Sequence, residues 1–200
     1  MMIDLETYLN KAPSAWKENR EFAGYLIKRL QPNVVLDLGV DWGHSTLYWA
    51  EHGVGKVYGV DVWQPHDVCT AGQNFDKQVL PAFKSFHKQG MTNIELIKGD
   101  HRKVYETWTR PIDILHFDIA HTYDGIVKEY NLWRDKLHDK SVCVFHDLLS
   151  FPDGVGRFFR DYLSVPRVSF NNQFGLGVMT ADTELLDDIA ENFNVNKLDY

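Results

Sequence analysis

Asp118 and His121 stand three residues apart in the stretch IDILHFDIAHTYDGIVKEY, residues 112–130, and His146-Asp147 close a later apolar run, Val142–Phe145. If 112–117 and 141–145 are neighbouring parallel strands, their carboxyl ends bring Asp118, His121, His146 and Asp147 around one small volume. Two carboxylates there repel and raise one another's pKa unless a cation or a proton sits between them. A hard divalent ion such as Mg2+ fits Asp118 and Asp147, with His146 as a third ligand. An imidazole titrates near neutrality, which suits His121 to removing a proton from a bound hydroxyl. Structural roles compete with these. Asp147 would cap the following turn, and Asp118 would hold a loop through backbone N–H groups. His116 lies deeper in the strand and reads as a core histidine, and Asp113, at the strand's opposite end, reads as structural.

A second group of residues surrounds Asp37-Leu38-Gly39-Val40-Asp41-Trp42-Gly43-His44-Ser45. Gly39 and Gly43 let the backbone turn tightly and approach a ligand. Helical N–H groups near His44 and Ser45 suit a carboxylate or phosphate. Asp61 follows Asp37 by 24 residues, at the end of a second strand, where an acid can bond a ribose diol. The pattern is DxGxxxG rather than GxGxxG. Asp41 and Trp42 would repel and crowd a pyrophosphate, which disfavours NAD. A plain tight turn is the structural alternative. His44 would touch a cofactor carboxylate or face solvent in the first helical turn, the second being preferred.

The elements that must position these residues alternate between β-branched runs and helical patterns, the signature of βαβ units. Helix is expected over 20–30 with Pro32 beyond it, from about Ser45 to Gly53, and up to Gly90 with Val79, Phe83 and Phe86 on one face. Spacing of Ile126, Tyr130, Trp133 and Leu137 predicts a helix over 124–140 with Asp124 as its N-cap. A short helix is expected over 154–163. Strands are expected at 33–38, 56–62, 94–98, 112–117 and 141–145. A closing antiparallel hairpin is expected from 167–170 and 176–180. The fold class is α/β: a single doubly wound, Rossmann-like, mostly parallel seven-stranded sheet. One domain fills residues 1–200, with an N-terminal helical cap over 1–32, a core over 33–180 and an acidic segment over 181–200. The acids between Asp182 and Glu191 read as a solvated helix face. Trp63, the loop to Asp76 and the segment around Trp16 are placed to cover a pocket or to pack on the sheet edge.

The chain resembles the class I S-adenosylmethionine-dependent methyltransferases, and among them the small O-methyltransferases with an FHD-type fifth strand. The matching stretches are VLDLGVDWGHST (35–46), GVDVW (59–63), Gly99-Asp100, IDILHFDIAHTYDGIVKEY (112–130) and VFHDL (144–148). The resemblance implies that Asp37, Gly39 and Gly43 shape a methionine pocket, that Asp61 takes the ribose hydroxyls and that Asp100 lies beside the adenine. Ser45 and Asp118 complete the implied cofactor set. His101 departs from the Ser that such enzymes often carry, so no contact is assigned to it.

Composition narrows the partners. The 200 residues carry 21 Lys+Arg against 28 Asp+Glu, a net charge of −7, which is unlike a protein that binds by neutralising phosphates. No nucleic-acid partner is expected. No apolar run approaches the ~18 residues of a membrane span, so no membrane partner is expected either. No signal peptide is evident, and the two cysteines, Cys69 and Cys143, form no CxxC, which fits a reduced cytoplasmic setting. The expected function is methyl transfer from S-adenosylmethionine to a hydroxyl of a small molecule, a sugar or secondary metabolite. A nicotinamide-dependent oxidoreductase and a non-catalytic S-adenosylmethionine-binding protein are the alternatives. The oligomeric state, monomer or homo-oligomer, stays open.

Overall fold

The computed structural model describes residues 2–53, 55–64, 74–172 and 174–198. Cys69, most of the 63–76 loop and Gln173 within the hairpin turn lie outside the described residues. The chain falls into two compact units, Met1–Val104 and Tyr105–Tyr200.

In the first unit, α1 (Leu5–Lys11) and α2 (Arg20–Leu30) precede β1 (Val34–Leu38), α3 (His44–Ala50) and β2 (Lys56–Asp61). A π turn at Phe75–Val79 runs into α4 (Leu80–Lys88), followed by β3 (Ile94–Lys98) and α5 (His101–Thr107). β1, β2 and β3 pair in parallel, Val35 opposite Val57 and Val57 opposite Ile94. α2 buries Phe22, Ala23, Leu26 and Ile27, the i, i+3/i+4 stripe of a core-facing helix. It stops at Gln31, whose left-handed backbone (φ +47°) returns its N–H to the Ile27 carbonyl just before Pro32. All seven residues of α3 are buried. Val79, Phe83 and Phe86 share a buried face, as their spacing requires.

The second unit holds β4 (Ile112–Phe117), α6 (Tyr123–Trp133), β5 (Leu137–His146), the single turn α7 (Val155–Arg157) with a π turn through Tyr162, β6 (Arg167–Phe170), β7 (Leu176–Thr180), α8 (Thr183–Asn192) and β8 (Val195–Leu198). β4 and β5 are parallel, while β7, β6 and β8 run antiparallel to their neighbours. Phe117 and Phe145 stack at 5.0 Å, and Trp133, Phe158 and Phe159 are buried with them. Within the first unit the strand order is β3-β2-β1 and within the second β4-β5-β7-β6-β8, an α/β, Rossmann-like arrangement with antiparallel C-terminal strands.

Four expectations are corrected. Among the described residues there are eight strands rather than seven, because Val195–Leu198 of the acidic segment adds an edge strand beside β6. α6 ends at Trp133, and Leu137, in phase with the helical stripe, instead opens β5 opposite Ile112. The hydroxyl of Ser141 fastens that crossover by donating to the Ile112 carbonyl at 2.6 Å and accepting the His138 N–H at 2.8 Å. The N-cap of α6 is Thr122, whose hydroxyl accepts the Gly125 N–H, and not Asp124. No element is expected between the strands at 94–98 and 112–117, where α5 forms. Its only signal was Asp100, whose carboxylate accepts the Arg102 N–H at 2.9 Å. The acidic helix itself is confirmed: Asp182 caps α8, which buries Leu185, Leu186 and Ile189.

Candidate functional site

β1 is buried throughout and reads as an apolar run except for Asp37. That carboxylate is fully buried and accepts the hydroxyls of Ser45, at 2.8 Å, and of Thr46. Asp37 thus ties the strand end to the first turn of α3 through Ser45 and Thr46. Between them the backbone is left-handed at Gly39 (φ +93°), Asp41 (φ +46°) and Gly43 (φ +90°). A Cβ at Gly43 would stand 2.4 Å from the Phe83 ring, so packing against that ring requires glycine at this position. Asp61 organises the same loop. One of its oxygens accepts the N–H groups of Val40 and Asp41, each at 2.9 Å, and the other that of Trp63 at 2.7 Å. The second oxygen keeps one lone pair for a further donor such as a ribose hydroxyl.

Three aromatic or histidine readings are settled in this unit. Trp63 is buried, stacks on Phe75 at 4.1 Å and donates its indole N–H to the Asp41 carbonyl at 2.9 Å. Trp16 packs edge-on against Trp49 in the core. His44 is neither solvent-facing nor an anion contact. It is 1% exposed, and Nε2–H donates to the Leu9 carbonyl at 3.0 Å. Burial holds its pKa below the usual imidazole value. Asp100 is half-exposed at the start of α5, 3.9 Å from the Arg102 guanidinium.

In the second unit, Asp118, His121, His146 and Asp147 do come together. Nε2 of His121 lies 3.8 Å from Asp118 and 3.2 Å from Asp147. Nδ1 of His146 lies 3.4 Å from Asp118 and 3.3 Å from Asp147. The four groups thus alternate in charge. Burial pulls the His121 imidazole down, but Asp118 and Asp147 outweigh it and leave it pushed up to about 9. The same opposition leaves His146 pushed up to about 10. Burial works against the two carboxylates as well, and the imidazoles win, holding Asp118 and Asp147 below the usual carboxylate range. Ligand atoms of Asp118, His121 and Asp147 all lie within 4.8 Å of one another, a donor set that fits a divalent cation with His121, rather than the expected His146, as its third member.

Sequence reasoning missed what supports this cluster. Asp147 is left-handed (φ +65°), an unusual state for a residue with a Cβ and one that clusters at working sites. Ser150 donates its hydroxyl to the Asp147 carboxylate, and the Phe151 N–H closes the turn on the Asp147 carbonyl. The Phe151 ring stacks on His121 at 4.3 Å. A Cβ at Gly154 would stand 1.7 Å from the His121 carbonyl oxygen, so only glycine lets these two loops meet. The run Phe151-Pro152-Asp153-Gly154 was the available signal, a turn directly after the acid. His116 is fully buried, with its ring 6.5 Å from His146, and Asp113 pairs with His138 at 3.0 Å. Cys143 is a buried free thiol in β5, its pKa raised by burial.

A family model described as a methyltransferase domain matches residues 36–148, and the chain belongs to that family. Its Rossmann-like sheet is the fold of the class I S-adenosylmethionine-dependent methyltransferases. Among solved structures, it is similar to an O-methyltransferase from Bacillus cereus in complex with S-adenosylhomocysteine: TM-score 0.64, 12% identity, 89% of this chain and 92% of that one. It is also similar to the O-methyltransferase TomG of Streptomyces achromogenes, involved in tomaymycin synthesis and solved with S-adenosylmethionine: TM-score 0.61, 15% identity, 90% and 92% covered. CalS11, a TDP-rhamnose 3'-O-methyltransferase of calicheamicin biosynthesis, gives TM-score 0.59 at 16% identity, 89% and 91% covered. At these identities the likeness is one of fold. The curated protein y4gI of Sinorhizobium fredii is 23% identical over 186 residues. The match covers 88% of this chain and 20% of that protein, so the chain spans about one fifth of its length. No helix among the described residues is long and apolar enough to cross a membrane.

Proposed function

We propose that the chain transfers a methyl group from S-adenosylmethionine to a hydroxyl of a small molecule of sugar or secondary-metabolite type. Family membership supports the class of reaction, and TomG and CalS11 are O-methyltransferases of such metabolites on the same fold. The observation that carries the reading is the alternation of two carboxylates and two imidazoles at the ends of β4 and β5.

The sulfonium already makes the methyl group electrophilic, so the chain must bind, orient and deprotonate. Gly39–Gly43 and the remaining lone pair of Asp61 bind the cofactor, with Asp37 and Ser45 holding the loop's far end and Asp100 beside the adenine. Asp118, His121 and Asp147 would hold a divalent cation, which would stabilise the acceptor alkoxide as a Lewis acid. Nε2 of His121 carries a proton at neutral pH, so it accepts one from the acceptor only after losing its own. Holding a cation requires those imidazole protons to leave, which links cation binding to pH.

The test is a melt with S-adenosylmethionine, S-adenosylhomocysteine, NAD and NADP in turn, with and without Mg2+, followed by turnover on hydroxylated acceptors. The two adenosyl ligands should stabilise by about 2.7 kcal/mol at a hundred times their Kd. Stabilisation by NAD alone overturns the reading. Binding without turnover on any acceptor leaves a cofactor-binding protein instead. EDTA that abolishes turnover assigns deprotonation to the cation, whereas turnover that survives EDTA and is lost in His121→Ala assigns it to His121.

A further inference from the structure

The N-terminal helix touches the Gly39–Gly43 segment in two places. The Tyr8 hydroxyl donates to the Trp42 carbonyl at 2.8 Å, a buried contact across 34 residues of sequence. His44, directly after Gly43, donates to the Leu9 carbonyl at 3.0 Å, also buried. Leu9 lies in the last turn of α1, where a helix leaves its carbonyls without internal partners. The two bonds therefore run in opposite directions between the same pair of segments.

The helix itself is anchored elsewhere. The Ile3 N–H donates to the Ser85 hydroxyl, and the Gln89 side chain donates to the Ile3 carbonyl, each at 2.8 Å. Arg20 joins Glu6 of α1 to Glu51 beyond α3. The Tyr8 ring packs edge-on against Phe86 of α4 at 5.5 Å. α1 is thus fixed independently of the loop and can serve as a support for it. The loop needs one, because it carries three left-handed residues, one of them Asp41 with a side chain.

We infer that Tyr8 and His44 are positioning residues that latch α1 against the Gly39–Gly43 loop and thereby set the affinity of that loop for the cofactor. The inference rests on the proposed cofactor role of the loop. Neither residue touches the reacting atoms. Losing either bond frees the loop to sample other shapes, and apparent affinity falls by the fraction of chains left in the competent one.

Calorimetric titration with S-adenosylhomocysteine, well below the melting transition, tests it. Tyr8→Phe removes one oxygen and should raise Kd about five- to tenfold, the scale of one buried hydrogen bond. His44→Ala should act alike, while His44→Gln, which keeps an N–H for the Leu9 carbonyl, should bind more tightly than His44→Ala. A purely structural role would lower Tm and leave Kd alone, so an unchanged Kd in Tyr8→Phe overturns the latch. Should Tyr8→Phe fail to fold, equal Kd values for His44→Ala, His44→Gln and wild type overturn it. Wild-type protein that binds no S-adenosylhomocysteine overturns the cofactor reading itself, a result distinct from wild-type binding with an indifferent Tyr8→Phe.

Discussion

The loop at Gly39–Gly43 keeps its shape through backbone groups, with N–H donors converging on Asp61 and carbonyls held by Trp63 and Tyr8. The cluster at the ends of β4 and β5 keeps its shape through four ionisable side chains set in alternation. The first arrangement depends on dihedral angles and is indifferent to modest pH change. The second depends on protonation, and replacing one member leaves the others unbalanced. Perturbations of the backbone should therefore damage the first region, and perturbations of charge the second.

The largest effect is expected from Asp118→Asn or Asp147→Asn. Each removes a charge that faces two imidazoles, and turnover should fall by ~10²–10⁴, the range for losing one acid–base group. Because His146 is buried, its cation would lose a counter-charge, so Tm should fall as well. Wild-type turnover in both variants would reduce the cluster to a structural ion pair.

Gly43→Val attacks the other region through its backbone. Its Cβ would meet the Phe83 ring, and φ is +90°. Denaturant titration should show a loss of roughly 2–4 kcal/mol from the strained backbone and the overlap together. A variant that folds normally but fails to bind cofactor would instead mean that the side chain points at the ligand. Asp61→Ala should weaken S-adenosylmethionine binding by ~1.5–3 kcal/mol in calorimetry. Here the melting temperature should also drop, because three backbone N–H groups lose their acceptor.

Changing pH should separate the regions without mutation. His121 and His146 have folded pKa values raised from 6.5 to about 9 and about 10. Their contribution to stability is complete below about 6.5 and is lost as pH rises through 9–10. Asp118 and Asp147 are lowered from 3.8, so theirs is present above that value and is lost as pH falls through the lowered values. The denaturant midpoint should fall between pH 7 and pH 10, and His121→Ala should flatten that fall. In the absence of added cation, kcat/KM should rise along a limb near 9, and Mg2+ should move the limb to lower pH. A limb at 6–7 that ignores Mg2+ would remove the carboxylates from control of His121. Asp113→Asn gives the smallest effect, about 0–1 kcal/mol with turnover intact, because its His138 partner is well exposed.

Much of this was legible in one dimension. Period-2 and continuous apolar runs located β1 through β4 to within a residue or so, since a strand buried on both faces must be apolar whatever its neighbours. The spacing of Asp118, His121 and His146-Asp147 was enough to expect a single cluster, because parallel strands deliver their carboxyl ends to one edge of a sheet. Residue type alone marked Gly39 and Gly43 as turn positions. Other features depended on partners distant in sequence. Leu137 satisfies a helical stripe and a strand equally well, and pairing with Ile112 chose the strand. Val195–Leu198 becomes a strand because β6 offers it an edge. Three-residue spacing cannot state that His121 and His146 would be cationic at neutral pH. That follows from two carboxylates close enough to outweigh burial, and both solvation and Coulomb energy depend on where atoms lie in space. His44 shows the same division: its place after Gly43 was readable, whereas its bond to Leu9 exists only because the folded chain buries both.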